Sequence, residues 1–115
     1  MVKRVLLVFV SLFFVAFFTQ AQNVDIAEAV IIDVRTPAEW QAGHIEDVSL
    51  IPWEDIVTVT DKLHLDKNQP IALFCRSGNR AGKAMALLNA AGYTQVVNLG
   101  SLEHAAETLD KAIIK

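Results

Sequence analysis

The chain has 115 residues, enough for one domain, with 53% apolar residues, a formal charge of −3 and one cysteine. A single cysteine excludes an intramolecular disulfide, so Cys75 is free, paired between chains, or chemically used. The acidic balance argues against a nucleic-acid partner, whose binding is dominated by basic side chains meeting phosphates.

The first twenty residues do not read as part of a soluble fold. "MVKR" is a positive start, Val5 to Phe18 is a 14-residue block that is apolar apart from Ser11, and Thr19 and Ala21 stand at the small-residue positions of a cleavage site. This layout predicts a signal peptide over 1–21 and one domain over 22–115. An uncleaved anchor would need about 20 apolar residues, and no cysteine follows the block to carry a bacterial lipoprotein anchor. A chain starting at Gln22 keeps 8 basic and 13 acidic residues, a net charge of −5, and is expected to be exported and periplasmic. In an oxidising compartment an exposed free thiol is a liability, so its retention asks for either burial or work.

"AVIIDVR", Ala29 to Arg35, is a β-branched run without alternation, as expected of a strand covered on both faces. "TPAEWQAG" follows as a short helix, with Thr36 as N-cap, Pro37 at the first helical position, Glu39 at N3 and Gly43 as terminator. Val48 to Pro52 predicts a second short strand. "WEDIVTVT" begins with helical spacing and turns β-branched, leaving its type open, and Asp61 to Pro70 is polar and includes a loop. Ile71 to Cys75 is a third buried strand. Ala81, Ala84, Met85 and Leu88 mark the core face of a helix beginning near Ala81 and closed by Gly92. "TQVVNLG" is a fourth strand, and Ser101 caps a last helix with Leu102, Ala105, Ala106, Leu109 and Ile113 on one face. Short apolar strands alternating with helices predict an α/β fold with a parallel sheet, in which ligands sit beyond the carboxyl ends of the strands. Cys75 lies at such an end.

"CRSGNR", Cys75 to Arg80, joins that strand to the next helix. Its glycine permits a tight turn, successive N–H groups can aim at one centre, and the helix N-terminus adds about half a positive charge. A thiol at the floor of this loop, near Arg76 and Arg80, becomes a thiolate more readily and could attack a substrate held by the same donors. The inert alternative is a buried core cysteine, a common fate of this residue type. A core cysteine has no use for a polar loop with two arginines, and the flanking residues favour the reactive reading.

"IIDVRTPAEWQAGHI" (Ile31 to Ile45), "CRSGNRAGKA" and "LLNAAGYTQVVNLG" together resemble the rhodanese-like family, in order and over nearly all of the chain beyond residue 21. The chain looks most like the exported single-domain sulfurtransferases of the phage-shock type. The resemblance implies a small α/β domain with a parallel-type sheet of about five strands and thiosulfate:cyanide-type sulfurtransferase activity without a cofactor. It implies that Cys75 takes the outer sulfur of a thiosulfate-like donor as a persulfide and passes it to a thiophilic acceptor such as cyanide or a thiol. Arg76, Ser77, Gly78, Asn79 and Arg80 would bind substrate, with Arg76 on the sulfonate end. Ser77 and Asn79 would donate to the persulfide, and Arg80 would close the loop by pairing with Asp33 or Glu39. Asp33, Arg35 and Glu39 would support the loop. A monomer is expected, touching a membrane only through an uncleaved leader. Six-residue loops in this family go with sulfur transfer and seven-residue loops with phosphatase action; Cys75 to Arg80 is six. The chain departs from the family pattern at Asp47-Val48, at Leu50, and at Ser101, where a second glycine is common.

Two other readings carry less. His44, His64 and His104 with Cys75 show no close ligand spacing, so no metal site is assigned, and His44 is expected to support a turn through a hydrogen bond. Asp33 and Glu39 could form an acid/base pair, but a strand end and a helix N-terminus suit structural roles better. Lys83 is equally a surface residue, and Trp40 and Trp53 suit core or rim positions. Three functions stay open: sulfurtransferase, sulfane-sulfur or anion carrier, and phosphatase or arsenate-reductase chemistry, against which loop length counts.

Overall fold

The structure, a computed structural model, describes residues 24–115. The leader expected over 1–21 lies outside the described residues. Strands β1 (Val30–Asp33), β3 (Ser49–Leu50), β4 (Ile71–Cys75) and β5 (Val96–Ser101) form one parallel sheet in the order β3-β1-β4-β5. Two further short strands, β2 (His44–Ile45) and β6 (Ile113–Ile114), pair antiparallel by themselves. The α/β architecture is as expected, with four strands in the main sheet rather than about five. Among the described residues no helix is long and apolar enough to cross a membrane.

Central strand β4 is wholly buried because both of its faces are covered. Ile71, Leu73 and Cys75 point into one core with Ile32, Val34, Ile56, Ala81, Ala84 and Leu88. Ala72 and Phe74 point into the other, with Ile45, Leu99, Leu102 and Ala105. Helices α2 (Ile56–Lys62) and α3 (Asn79–Ala90) cover the first core, while α4 (Leu102–Leu109) covers the second.

The caps behave as the sequence predicts. Helix α1 (Pro37–Ala42) opens on a capping box, with the Thr36 hydroxyl accepting from the Glu39 N–H and the Glu39 carboxylate accepting from the Thr36 N–H, and closes at Gly43. Ser101 caps α4 through the His104 N–H.

Two expectations are corrected and one open reading is decided. Helix α3 starts at Asn79, two residues before Ala81. The β-branched "TVT" run is helical in α2, where the Thr60 hydroxyl donates back to the Ile56 carbonyl and so can be buried. Ile113 does not continue α4: Asp110 turns left-handed at φ 52°, ending the helix, and Ile113 pairs with Ile45 in the small ladder.

Candidate active site

At the carboxyl end of β4 the chain turns through Cys75 to Arg80 into α3. Gly78 is the N-cap, at φ 91°, and no side chain caps the helix. A Cβ at Gly78 would lie 3.2 Å from the Gly100 Cα, so this position requires glycine for both its backbone angle and the closeness of β5. The turn aims the Gly78 N–H at the Cys75 sulfur, with N to Sγ 2.9 Å.

Cys75 is fully buried, and burial pushes its thiol pKa up. The N–H groups of Ala81, Ser77, Gly78 and Arg80 act the other way and outweigh it, so the thiol lies below its ordinary value. The groups that favour the charged form of this sulfur are thus backbone N–H dipoles of its own loop.

Arg80 closes the loop onto Glu39, not Asp33, through two parallel contacts of 2.5 and 2.8 Å. That pairing, first among several causes and against a partial desolvation cost, lowers the Glu39 pKa from 4.5 to about 2. Asp33 belongs instead to Arg35: both carboxylate oxygens accept from the guanidinium at 2.8 to 3.0 Å, and the Arg35 N–H donates to the same carboxylate. Arg35 also donates to the Gly43 carbonyl at 2.8 Å and the Glu39 carbonyl at 3.4 Å. Asp33 and Arg35 therefore hold the β1–α1 corner; they steady the helix that carries Glu39, and the Asp33 charge also helps to raise the Arg80 pKa. Asp33 and Glu39 thus have separate cationic partners and share no hydrogen bond, an arrangement that suits structural roles.

Arg76 is exposed and lines a cavity of about 220 Å³ with Arg35, Glu39, Leu102 and Glu103. Arg35 and Glu39 are already engaged, leaving Arg76 as the cation in this cavity without an ion pair. Ser77 and Asn79 are exposed and make no side-chain hydrogen bond to the sulfur; their backbone contributes, as the Ser77 N–H does. Lys83 is exposed, its ammonium 5.3 Å from the Trp53 ring centroid. His44 supports the turn after α1, its Nδ1 2.9 Å from the Trp40 carbonyl and its ring stacked on Trp40. A larger hollow of about 590 Å³ lies at the opposite, amino end of the strands, lined by Ile26, Val30, Ile31 and Leu109 among others, away from Cys75.

One residue beside the loop has no spacing that singles it out. Asn98, on β5, donates to the Gly78 carbonyl at 2.9 Å and accepts from the Gly100 N–H at 2.8 Å. Its sole signal in the sequence is a polar side chain inside the apolar run "VVNLG".

A parallel α/β sheet that ends in a six-residue cysteine loop of converging amides suits a domain that handles sulfur or an oxyanion. The model of the rhodanese-like domain matches residues 19–104, and the chain belongs to that family. It is 33% identical over 75 residues to the thiosulfate sulfurtransferase PspE of Escherichia coli, covering 65% of this chain and 72% of that protein. It is 35% identical over 75 residues to a sulfurtransferase of Allochromatium vinosum, covering 65% and 68%. Among solved structures, a rhodanese with anions from E. coli aligns at a TM-score of 0.63 and 30% identity, covering 74% of this chain and 95% of that one.

Proposed function

We propose that the protein is a thiosulfate sulfurtransferase that works through a persulfide on Cys75. The observation that carries this reading is the convergence of loop N–H groups on the sulfur of the only cysteine, which lowers its pKa against burial. The Cys75 thiolate attacks the outer sulfur of thiosulfate. The S–S bond to the sulfonate breaks, sulfite leaves with the electron pair, and the enzyme holds a persulfide. A thiophile such as cyanide then takes the outer sulfur as thiocyanate and returns the thiolate, completing a ping-pong cycle.

Arg76 holds the sulfonate end in this scheme, because the net charge of the whole chain is negative and a dianion must find its attraction locally. The loop amides stabilise the persulfide as they do the thiolate, with Ser77, Gly78, Asn79 and Arg80 placed around it. Export of a single domain starting near Gln22, after cleavage of the leader, completes the reading. The acceptor is then a small thiophile outside the cytoplasm, and the protein acts as a monomer.

Intact mass after thiosulfate alone, together with thiocyanate production when cyanide is added, tests it. A one-sulfur adduct and turnover, both lost in Cys75→Ser, are expected; no adduct on the wild-type protein would sink the reading. The complete burial of Cys75 favours a second reading, a carrier that shields bound sulfur. An adduct without turnover would select it.

A further inference from the structure

We propose that Asn98 is a positioning residue for the Cys75 sulfur, holding the catalytic loop in register through a β-bulge that seats Gly78. The inference deepens the reading of Cys75 as the reacting group.

The bulge is visible in the pairing of β4 with β5. Leu73 is opposite Asn98 and Cys75 opposite Ser101, so two steps along β4 correspond to three along β5. The extra residue is accommodated at Gly100, whose φ of 83° is left-handed. Asn98 closes this irregularity on itself by accepting the Gly100 N–H at 2.8 Å. Bulges beside active sites re-aim side chains, and here the amide nitrogen of Asn98 is turned onto the Gly78 carbonyl at 2.9 Å.

Gly78 is thus fixed from three sides. Its carbonyl accepts from Asn98 and from the Gly82 N–H, each at 2.9 Å, and its Cα side lies flat against Gly100. The one remaining polar group, its N–H, is the donor to Cys75 Sγ. With Asn98 removed, a single helical bond would hold the carbonyl, and rotation of the peptide groups flanking Gly78 would swing that N–H off the sulfur. Asn98 touches neither the sulfur nor a substrate, so its contribution passes through Gly78.

The test is titration of the thiolate by its ultraviolet absorbance, unambiguous with one cysteine and independent of any sulfur donor. In Asn98→Leu, which keeps the volume and removes both hydrogen bonds, the Cys75 midpoint is expected to rise by about one pH unit, the size appropriate to weakening one charge-assisted hydrogen bond. In Asn98→Asp, which keeps the acceptor for Gly100 and loses the donor to Gly78, it should rise at least as far. The pH profile of persulfide formation should move by the same amount. An unchanged midpoint in either folded variant would overturn the proposal. Should both variants fail to fold, nitrogen-resolved NMR of the wild-type protein decides. An Asn98 side-chain amide that is slow to exchange and shifts as Cys75 ionises supports the clamp; fast exchange with no such response overturns it. A shifted midpoint without sulfur transfer would leave the clamp standing and remove the enzyme reading, so the two failures are distinguishable.

Discussion

Strands β1 and β4 lie side by side, and each hands the chain into a helix at the same end of the molecule, but the two corners use their helices' unpaired N–H groups in opposite ways. At the β1–α1 corner Thr36 and Glu39 satisfy them in a capping box, and Arg35 is fully engaged by Asp33 and two carbonyls. At the β4–α3 corner the N-cap is a glycine with no side chain to offer, and the donors turn to the sulfur. A helix start can be capped by its own side chains or left available to a reactant. The closed corner provides the rigidity that the open one lacks, because Glu39 belongs to the first and grips Arg80 of the second.

The comparison breaks most severely at Asp33→Ala. Arg35 is 5% exposed and would keep its charge without a counter-ion, a loss of about 3–5 kcal/mol in stability measured by denaturant unfolding. A loss under about 1 kcal/mol would show that this corner relaxes freely.

Gly78→Ala strikes the open corner. A left-handed angle and a Cβ 3.2 Å from the Gly100 Cα should cost about 1–3 kcal/mol. Relief of that strain displaces the donor to Cys75, so the thiolate midpoint should rise as well. Stability and midpoint both at wild-type values would show that the loop does not need the observed turn.

Glu39→Gln sharpens the link between the corners. The folded Glu39 pKa lies near 2, below its unfolded value near 4.5, so its stabilising contribution is present above pH 4.5 and disappears as the pH falls toward 2. With the pair about a quarter exposed, solvent screening reduces that contribution to about 1–2 kcal/mol. Unfolding midpoints measured between pH 5 and 2 should fall less steeply for Glu39→Gln than for the wild type. Parallel curves would assign acid sensitivity to other carboxylates.

Local patterns made most of this legible in the sequence. The unalternating apolar runs identify β1 and β4, the Thr36-Pro37-Glu39 spacing identifies the start of α1, and Cys75 to Arg80 shows the loop by its length. What escaped are the choices set by distant chain. Arg80 had two carboxylates to choose from, and the engagement of Asp33 by Arg35, in the bend just beyond β1, leaves Glu39 for it. Ile113 fits the apolar face of α4 by periodicity, yet β2 offers it a ladder partner that no helical spacing announces. Asn98 is intelligible only once β5 bulges against the loop, a fact of strand register rather than of composition.

The parallel register also bears on when the surroundings of the sulfur are complete. β1 meets β4 by pairing Val30 with Ile71, and β4 meets β5 by pairing Ile71 with Val96, so the strand pairings beneath the loop join distant stretches of chain. Such topologies assemble slowly compared with locally connected ones. Until β5 docks, Gly78 lacks its contacts with Asn98 and Gly100, and a chain not yet folded carries an ordinary thiol with a pKa of about 8.5. The lowered pKa of Cys75 thus arrives with folding, because the amides that lower it converge only in the finished turn.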